Sequence, residues 1–197
     1  MLILASASPR RRELLAQAGL TFTVEAANIP EDQHPGESAS AYVLRLAEEK
    51  AKAVWTLHQS RHTAENPIIV LAADTTVLCN GEILGKPTDQ ADARRMLGLL
   101  SGRTHQVLTG IAVISRGECL SDVEITHVTF NRIAERELIT YLASGEPMDK
   151  AGAYGIQGYA ARWIPRIEGC YYNVVGLPVA RTLALLHEAQ SDLAGSA

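Results

Sequence analysis

From Pro67 to Ala73 the chain reads Pro-Ile-Ile-Val-Leu-Ala-Ala, an unbroken apolar run that stops at Asp74. A half-exposed strand would alternate and a core helix would run longer, so this pattern predicts a short strand covered on both faces. Such a strand needs a layer on each side, and strands alternating with helices along the rest of the chain give an α/β fold. The remaining segments agree. Leu2 to Ala5 is a second short apolar run feeding a helix from Pro9 to about Ala18, with proline in the first turn and Gly19 as the stop. Thr21 to Glu25 alternates like a strand, and Asn28 to Glu37, with Pro30, Pro35 and Gly36, is loop chemistry. Ser38 is placed to cap the longest helix, which reaches about His58 with Tyr42, Val43, Leu46, Ala47, Lys50 and Val54 on one face.

Asn80-Gly81 and Arg116-Gly117 mark hairpins, the first returning Gly85-Lys86-Pro87 toward Asp74 and the second joining strands Val107 to Ile114 and Glu124 to Asn131. Helices are expected from Asp89 to Leu100 and from Ala134 to Ala143, then a glycine-rich loop from Gly152 to Gly158. A strand within Arg162 to Ile167 and a closing helix from Leu177 to Gln190 follow. The hairpins make the sheet mixed instead of purely parallel. The expectation is a single domain over residues 1–197, a mixed twisted sheet flanked by helices, with a frayed tail at 190–197.

Composition narrows the function. A net charge of −4 argues against a nucleic-acid binder, so an anionic ligand must be met by a local basic cluster. No apolar run approaches the roughly 20 residues of a membrane helix, which argues against a membrane protein. Cys79, Cys119 and Cys170 show neither CxxC pairing nor histidines at zinc spacing; they read as buried or half-buried free thiols of a cytoplasmic protein. The scattered histidines, Trp55 and Trp163 read as structural.

Five groups of residues carry chemistry. Ser6-Ala7-Ser8-Pro9-Arg10-Arg11-Arg12 is a strand-to-helix turn whose amides, dipole and guanidinium groups suit a phosphate, though the same residues also make an ordinary helix start. Asp74-Thr75-Thr76 stands where open α/β sheets gather ligands; its aspartate suits a divalent cation or an attacking water, or merely caps a turn. Glu31 with Asp32 in the proline-bounded loop, and Lys50 with Lys86, divide the work that a triphosphate demands between metal-binding acids and phosphate-facing lysines. Singly, Glu31 and Lys50 are equally ordinary solvated residues. In Lys150-Ala-Gly-Ala-Tyr-Gly-Ile-Gln-Gly158, three glycines, Tyr154 and Gln157 suggest a loop that approaches a planar ligand closely, or a tight connection and nothing more.

These motifs, in this order and over nearly the whole chain, resemble the Maf family of nucleoside triphosphate pyrophosphatases. Ser6 to Arg11, Ala73-Asp74-Thr75, Gly85-Lys86-Pro87 and Lys150 to Gly158 look like its signatures; Leu99 to Gly102 and Val175 to Pro178 look like its intervening segments. The resemblance implies two lobes around a central cleft, a homodimer, and hydrolysis of a nucleoside triphosphate to monophosphate and pyrophosphate with Mg2+ or Mn2+. Carried over, Asp74 is the proton acceptor, Glu31 an acid near the metal, and Lys50 and Lys86 face the phosphates. Ser6, Ser8, Arg10 and Arg11 bind phosphate, and Glu31 and Asp74 are the expected metal ligands. Arg10, Thr75 and Gln157 fall where the substrate branches differ, and they look like the branch acting on dTTP and UTP, including some modified pyrimidine nucleotides, in a housecleaning role. The 7-methyl-GTP branch tends to have Trp and Glu at the first two. Ala73 stands where glycine is frequent, and Pro30 precedes Glu31 where an acid can occur. The rival readings are a non-enzymatic, nucleotide-binding regulator of cell division or septum formation, the 7-methyl-GTP branch of the same family, and a nucleic-acid-binding protein.

Overall fold

The apolar run after Pro67 extends further than its hydrophobicity suggests. In a computed structural model describing residues 1–63 and 65–194, the strand β3 covers Ile69–Cys79, so Asp74 is its middle residue and not its end. The cause is local: Thr75, Thr76 and Val77 are β-branched and keep the backbone extended. Beyond them Asn80 (φ 51°) and Gly81 (φ 81°) turn the chain back into β4, Glu82–Leu84, which pairs antiparallel with β3.

Ahead of β3 lie β1 (Leu2–Leu4) and β2 (Thr23–Val24), which pair in parallel around the helix α1 (Pro9–Gln17); β1 also pairs in parallel with β3. The helix α2 (Ala39–His58) follows, opened as expected by the Ser38 hydroxyl accepting from the Ala41 amide. After β4 come α3 (Gln90–Leu100), β5 (Thr104–Ser115), β6 (Glu118–Thr129) and α4 (Glu135–Ala143). Then β7 (Arg166–Glu168), a short α5 (Tyr171–Val175) and α6 (Val179–Ala194) complete the described chain. The strands form a seven-stranded mixed sheet in the order β2-β1-β3-β5-β6-β7, with β4 beside β3.

Several boundaries differ from the sequence reading. The strand expected over Thr21 to Glu25 is two residues long, and Tyr159–Trp163 is a 3-10 turn where the start of a strand was expected. β6 starts six residues earlier than the apolar pattern does, because pairing with β5 carries its polar first half. α5 was not anticipated: five residues are too few for a helical period to show. α6 continues to Ala194, through the first part of the expected tail, whose residues 195–197 lie outside the described residues. Cys79 is buried and Cys170 half-buried as expected, whereas Cys119 is exposed on the polar half of β6. No helix among the described residues is long and apolar enough to cross a membrane.

The chain divides into two compact units, one of Met1–Asp74, Thr109–Glu124 and Gly176–Ala197, the other of Thr75–Leu108 and Ile125–Val175. In the first, Ala47, Ala51, Val54 and Trp55 of α2 pack against Ile3, Val70, Ala72, Ala112 and Ile114 of the sheet. In the second, Ala93, Met96, Leu97 and Leu100 of α3 and Leu138, Tyr141 and Leu142 of α4 enclose Val77, Phe130, Tyr154 and Trp163.

Gly110 of β5 lets α2 come close. A Cβ built there would lie 2.3 Å from the carbonyl oxygen of Val43 and 2.8 Å from the Leu44 nitrogen, both backbone atoms that cannot step aside singly. Gly98, by contrast, sits in α3 with nothing within 4 Å of a built Cβ. Gly110→Ala should therefore lower stability by about 1–3 kcal/mol, whereas Gly98→Ala should leave it unchanged or raise it by up to ~1 kcal/mol. Urea midpoints of the two variants check this, and equal midpoints would show that α2 does not bear on Gly110.

Candidate active site

Strand alternation decides where Asp74 points. Val70 and Ala72 face α2, and a period of two puts Asp74 on the same side. Helical spacing does the same for Lys50, which shares the buried stripe of α2 with Val43, Leu46, Ala47 and Val54. The two therefore meet: Lys50 Nζ donates to Asp74 Oδ1 at 2.6 Å, with both residues only 8% exposed. The same ammonium lies 2.6 Å from Oε1 of Glu31, whose side chain is 48% exposed. Lys50 is thus neither a solvated helix charge nor a group pointed at open solvent; it is a buried cation bridging two carboxylates.

Glu31 arrives on the loop before α2, and α2 itself holds that loop. The Tyr42 hydroxyl donates to the Glu31 carbonyl at 2.8 Å, and Arg45 Nη2 donates to the Asp32 carbonyl at 3.0 Å. Arg45 also grips Glu37 through both carboxylate oxygens, at 2.7 Å and 2.9 Å. That fork, helped by the His34 amide, holds the Glu37 carboxyl down at about 2. Burial, reinforced by the negative charges of Asp74 and Glu31, pushes the Tyr42 phenol up to about 12. Tyr42 and Arg45 escaped the sequence reading as functional residues, the first because it fitted the core face and the second because a lone arginine on a helix gives no signal.

The turn from β1 into α1 lies in the same unit. Ser8 occupies the cap position, but its amide donates to Ser6 Oγ at 3.2 Å and its own side chain makes no cap bond. Arg11 Nη1 donates to Ser6 Oγ at 3.1 Å, and Arg11 Nε to the Gly176 carbonyl at 2.9 Å. Burial lowers the Arg11 guanidinium from its ordinary value, while Asp74 and Glu31 are near enough to oppose that shift. Arg10 is half-buried. Ser6, Arg10, Arg11, Glu31, Lys50 and Asp74 therefore form one charged cluster of three cations and two anions.

Thr75, Lys86 and Gln157 belong to the second unit. Lys86 is exposed on a turn whose Gly85 carbonyl accepts from the Gly152 amide at 3.0 Å, so the lysine turn and the glycine-rich loop are joined. The loop differs from expectation. Tyr154 is 6% exposed, bonded through its hydroxyl to His105 Nε2 at 2.8 Å and packed edge-on to Phe130, so it faces the core and no ligand. The glycines serve the loop itself: a Cβ on Gly155 would meet the Lys150 side chain at 2.8 Å, and one on Gly158 the Glu146 carboxylate at 1.9 Å. Gln157 is exposed at the far end.

A metal fits the first cluster by the chemistry of its donors. Two hard carboxylates already converge on one cation, the Lys50 ammonium, although among the described residues no group of three or more His, Cys, Asp or Glu side chains gathers here or elsewhere. Mg2+ commonly takes one or two carboxylates and completes its shell with water and phosphate oxygens.

Two predictions follow from these contacts. Arg45→Ala should speed amide exchange at His34 and Glu37 by at least about tenfold while leaving β3 amides unchanged, because only the clamp on the loop is removed. In the wild-type protein the clamp's stabilising effect is complete above pH 4.5 and is lost as pH falls through about 2, the range over which Glu37 titrates. Slow exchange at both residues in Arg45→Ala would assign the loop's order to other contacts. His105, 2% exposed and lowered by burial from 6.5 to about 4, stays neutral in the fold while the unfolded chain takes up its proton. Stability should thus fall as pH drops from 6.5 to about 4, by on the order of 3 kcal/mol, and His105→Gln should flatten that slope in denaturant titrations.

Known proteins resemble the chain over nearly its whole length. The family model described as Maf-like protein matches residues 1–189. A Chromobacterium violaceum protein named dTTP/UTP pyrophosphatase is 52% identical over 190 residues, covering 96% of this chain and 95% of its own. Proteins of the same name from Myxococcus xanthus (52% over 189 residues; 96% and 92%) and Koribacter versatilis (47% over 188 residues; 95% and 94%) are similar too. With its charged cluster and with relatives at this identity over nearly all of its length, the chain belongs to the Maf family.

Proposed function

We propose that this protein hydrolyses dTTP and UTP at the α–β phosphoanhydride to the nucleoside monophosphate and pyrophosphate. The observation that carries this reading is the buried Lys50 ammonium 2.6 Å from both Asp74 and Glu31, next to the Ser6–Arg11 turn. Relatives at 47–52% identity named dTTP/UTP pyrophosphatase support the substrate.

In this reading Asp74 accepts the proton of the attacking water as its oxygen bonds to phosphorus and the bridging bond to pyrophosphate breaks. Glu31 and Asp74 hold a divalent cation, Mg2+ or Mn2+, which when bound offsets phosphate charge as a Lewis acid. Ser6, Ser8, Arg10 and Arg11 receive phosphate oxygens at the start of α1, and Lys50 and Lys86 add point charges. Arg10, Thr75 and Gln157 select the base, Gln157 by presenting a donor and an acceptor to a pyrimidine edge. A cationic methylated guanine would favour an aromatic face and a carboxylate, and Arg10 and Thr75 offer neither. The working form is a cytoplasmic homodimer.

A panel of nucleoside triphosphates with Mg2+ or Mn2+, with pyrophosphate and orthophosphate assayed separately, tests the reading. Pyrophosphate should appear with dTTP and UTP ahead of purine triphosphates and 7-methyl-GTP, and Asp74→Asn should lower turnover by more than roughly a hundredfold in a folded protein. Saturable nucleotide binding without pyrophosphate release would instead favour a regulator. A preference for 7-methyl-GTP would overturn the substrate assignment alone.

A further inference from the structure

The charge balance of the first cluster raises a question about how it loads. Arg11 and Lys50 offset Asp74 and Glu31, and Arg10, close enough to act on Arg11, leaves the cluster with one positive charge in excess. A divalent cation added alone would raise that excess where Lys50 and Asp74 are 8% exposed, and a triphosphate added alone would turn it into a negative one. The two together come closer to balance than either does singly. The donor set leads the same way, since two carboxylates leave most of a cation's coordination shell to be filled from outside the protein.

Geometry adds a conflict. Lys50 Nζ is within 2.6 Å of Glu31 Oε1 and of Asp74 Oδ1, so the ammonium fills the place between the oxygens that would hold the cation. Ammonium and divalent cation cannot share it, because the like charges would stand in contact. Lys50 has a flexible four-carbon stem and can leave without moving the helix backbone, which Gly110 seats against the sheet.

We propose that Lys50 is a stand-in cation: its ammonium holds Glu31 and Asp74 together in the nucleotide-free protein, then moves to a phosphate oxygen when a divalent cation takes the carboxylates. Nucleotide and cation thereby favour each other's binding, because the triphosphate gives the displaced ammonium an anion. This rests on the reading of Glu31 and Asp74 as the metal-holding pair.

The test is Mn2+ binding to the nucleotide-free protein, followed by the electron paramagnetic resonance signal of free Mn2+. Lys50→Met, which removes the competitor and leaves two facing carboxylates, should bind Mn2+ at least about tenfold more tightly than wild type. Lys50→Arg, which keeps the charge, should not. Asp74→Asn should lose the site. If Asp74→Asn loses Mn2+ but Lys50→Met binds it no more tightly than wild type, the metal pair stands and the stand-in role is wrong. If Asp74→Asn binds Mn2+ like wild type, the metal pair itself is wrong and the proposal falls with it. Because Lys50→Met takes the ammonium away from the buried Asp74 carboxylate and is at risk of misfolding, wild-type protein gives a second readout. Acetylation of Lys50 by limiting acetic anhydride, read by mass spectrometry, should rise at least about threefold when saturating Mn2+ releases the amine from its ion pairs. It should fall again when the α,β-imido analogue of dUTP is added with Mn2+. Labelling that ignores Mn2+ would overturn the proposal without any variant.

Discussion

A buried ammonium must have anions within reach, and in this protein that requirement ties together three stretches far apart in the chain. Lys50 lies on the core-facing stripe of α2, where an ammonium is costly to bury unless anions meet it. Asp74 from the middle of β3 and Glu31 from the preceding loop supply the compensation. Neither carboxylate suffices by its position alone: Asp74 is as buried as the lysine, and Glu31 depends on a loop that Tyr42 and Arg45 hold from the same helix. Loss of one partner from a buried pair such as Lys50 and Asp74 typically costs ~3–5 kcal/mol because the other charge is left stranded, so the helix and the strand are tied to one arrangement.

The apolar layer sets how finely that arrangement is placed. Ala47 and Ala51 are small where α2 meets the sheet, and Gly110 has no side chain where the Val43 carbonyl reaches β5. Larger residues at these points would lift the helix. Its charged side chains would then reach Asp74 only by giving up their present hydrogen bonds. In the second unit the same logic runs in reverse. Tyr154 anchors the glycine-rich loop in an aromatic cluster with His105, Phe130 and Trp163, and Glu146 and Lys150 fill the space beside its glycines, leaving Gln157 outward.

Much of this was legible in the residues because period and turn chemistry are local. The apolar run before Asp74, the Ser38 cap and the Asn80-Gly81 hairpin each announce themselves within a few positions. The Maf motifs went further, singling out Asp74, Glu31 and Lys50 before their mutual distances were known. What stayed hidden depends on partners remote in sequence. That Lys50 bridges both acids requires α2 to be docked on β3, and that Arg45 holds the Glu37 carboxylate requires the loop to fold back. The two readings of the glycine-rich loop stay open in the sequence for the same reason: glycine spacing shows that room is needed but not which side chain fills it. The polar first half of β6 carries no apolar alternation at all, and only its hairpin with β5 makes it a strand.

The boundary between the two units falls inside β3, β5 and β6 and again at Gly176, so neither unit is a contiguous stretch of chain. During synthesis this has a definite consequence. By the time the ribosome has made Asp74, Glu31 and Lys50 already exist, yet the strand that seats α2 through Gly110 has not been translated, nor has the Gly176 carbonyl that receives Arg11. The charged residues must wait through about a third of the remaining chain for that strand, and Arg11 through most of it for its acceptor. A nascent chain of this topology cannot finish one half and then the other; its long-range pairings close late and nearly together, the regime in which folding is slow and partly made chains rely on chaperones.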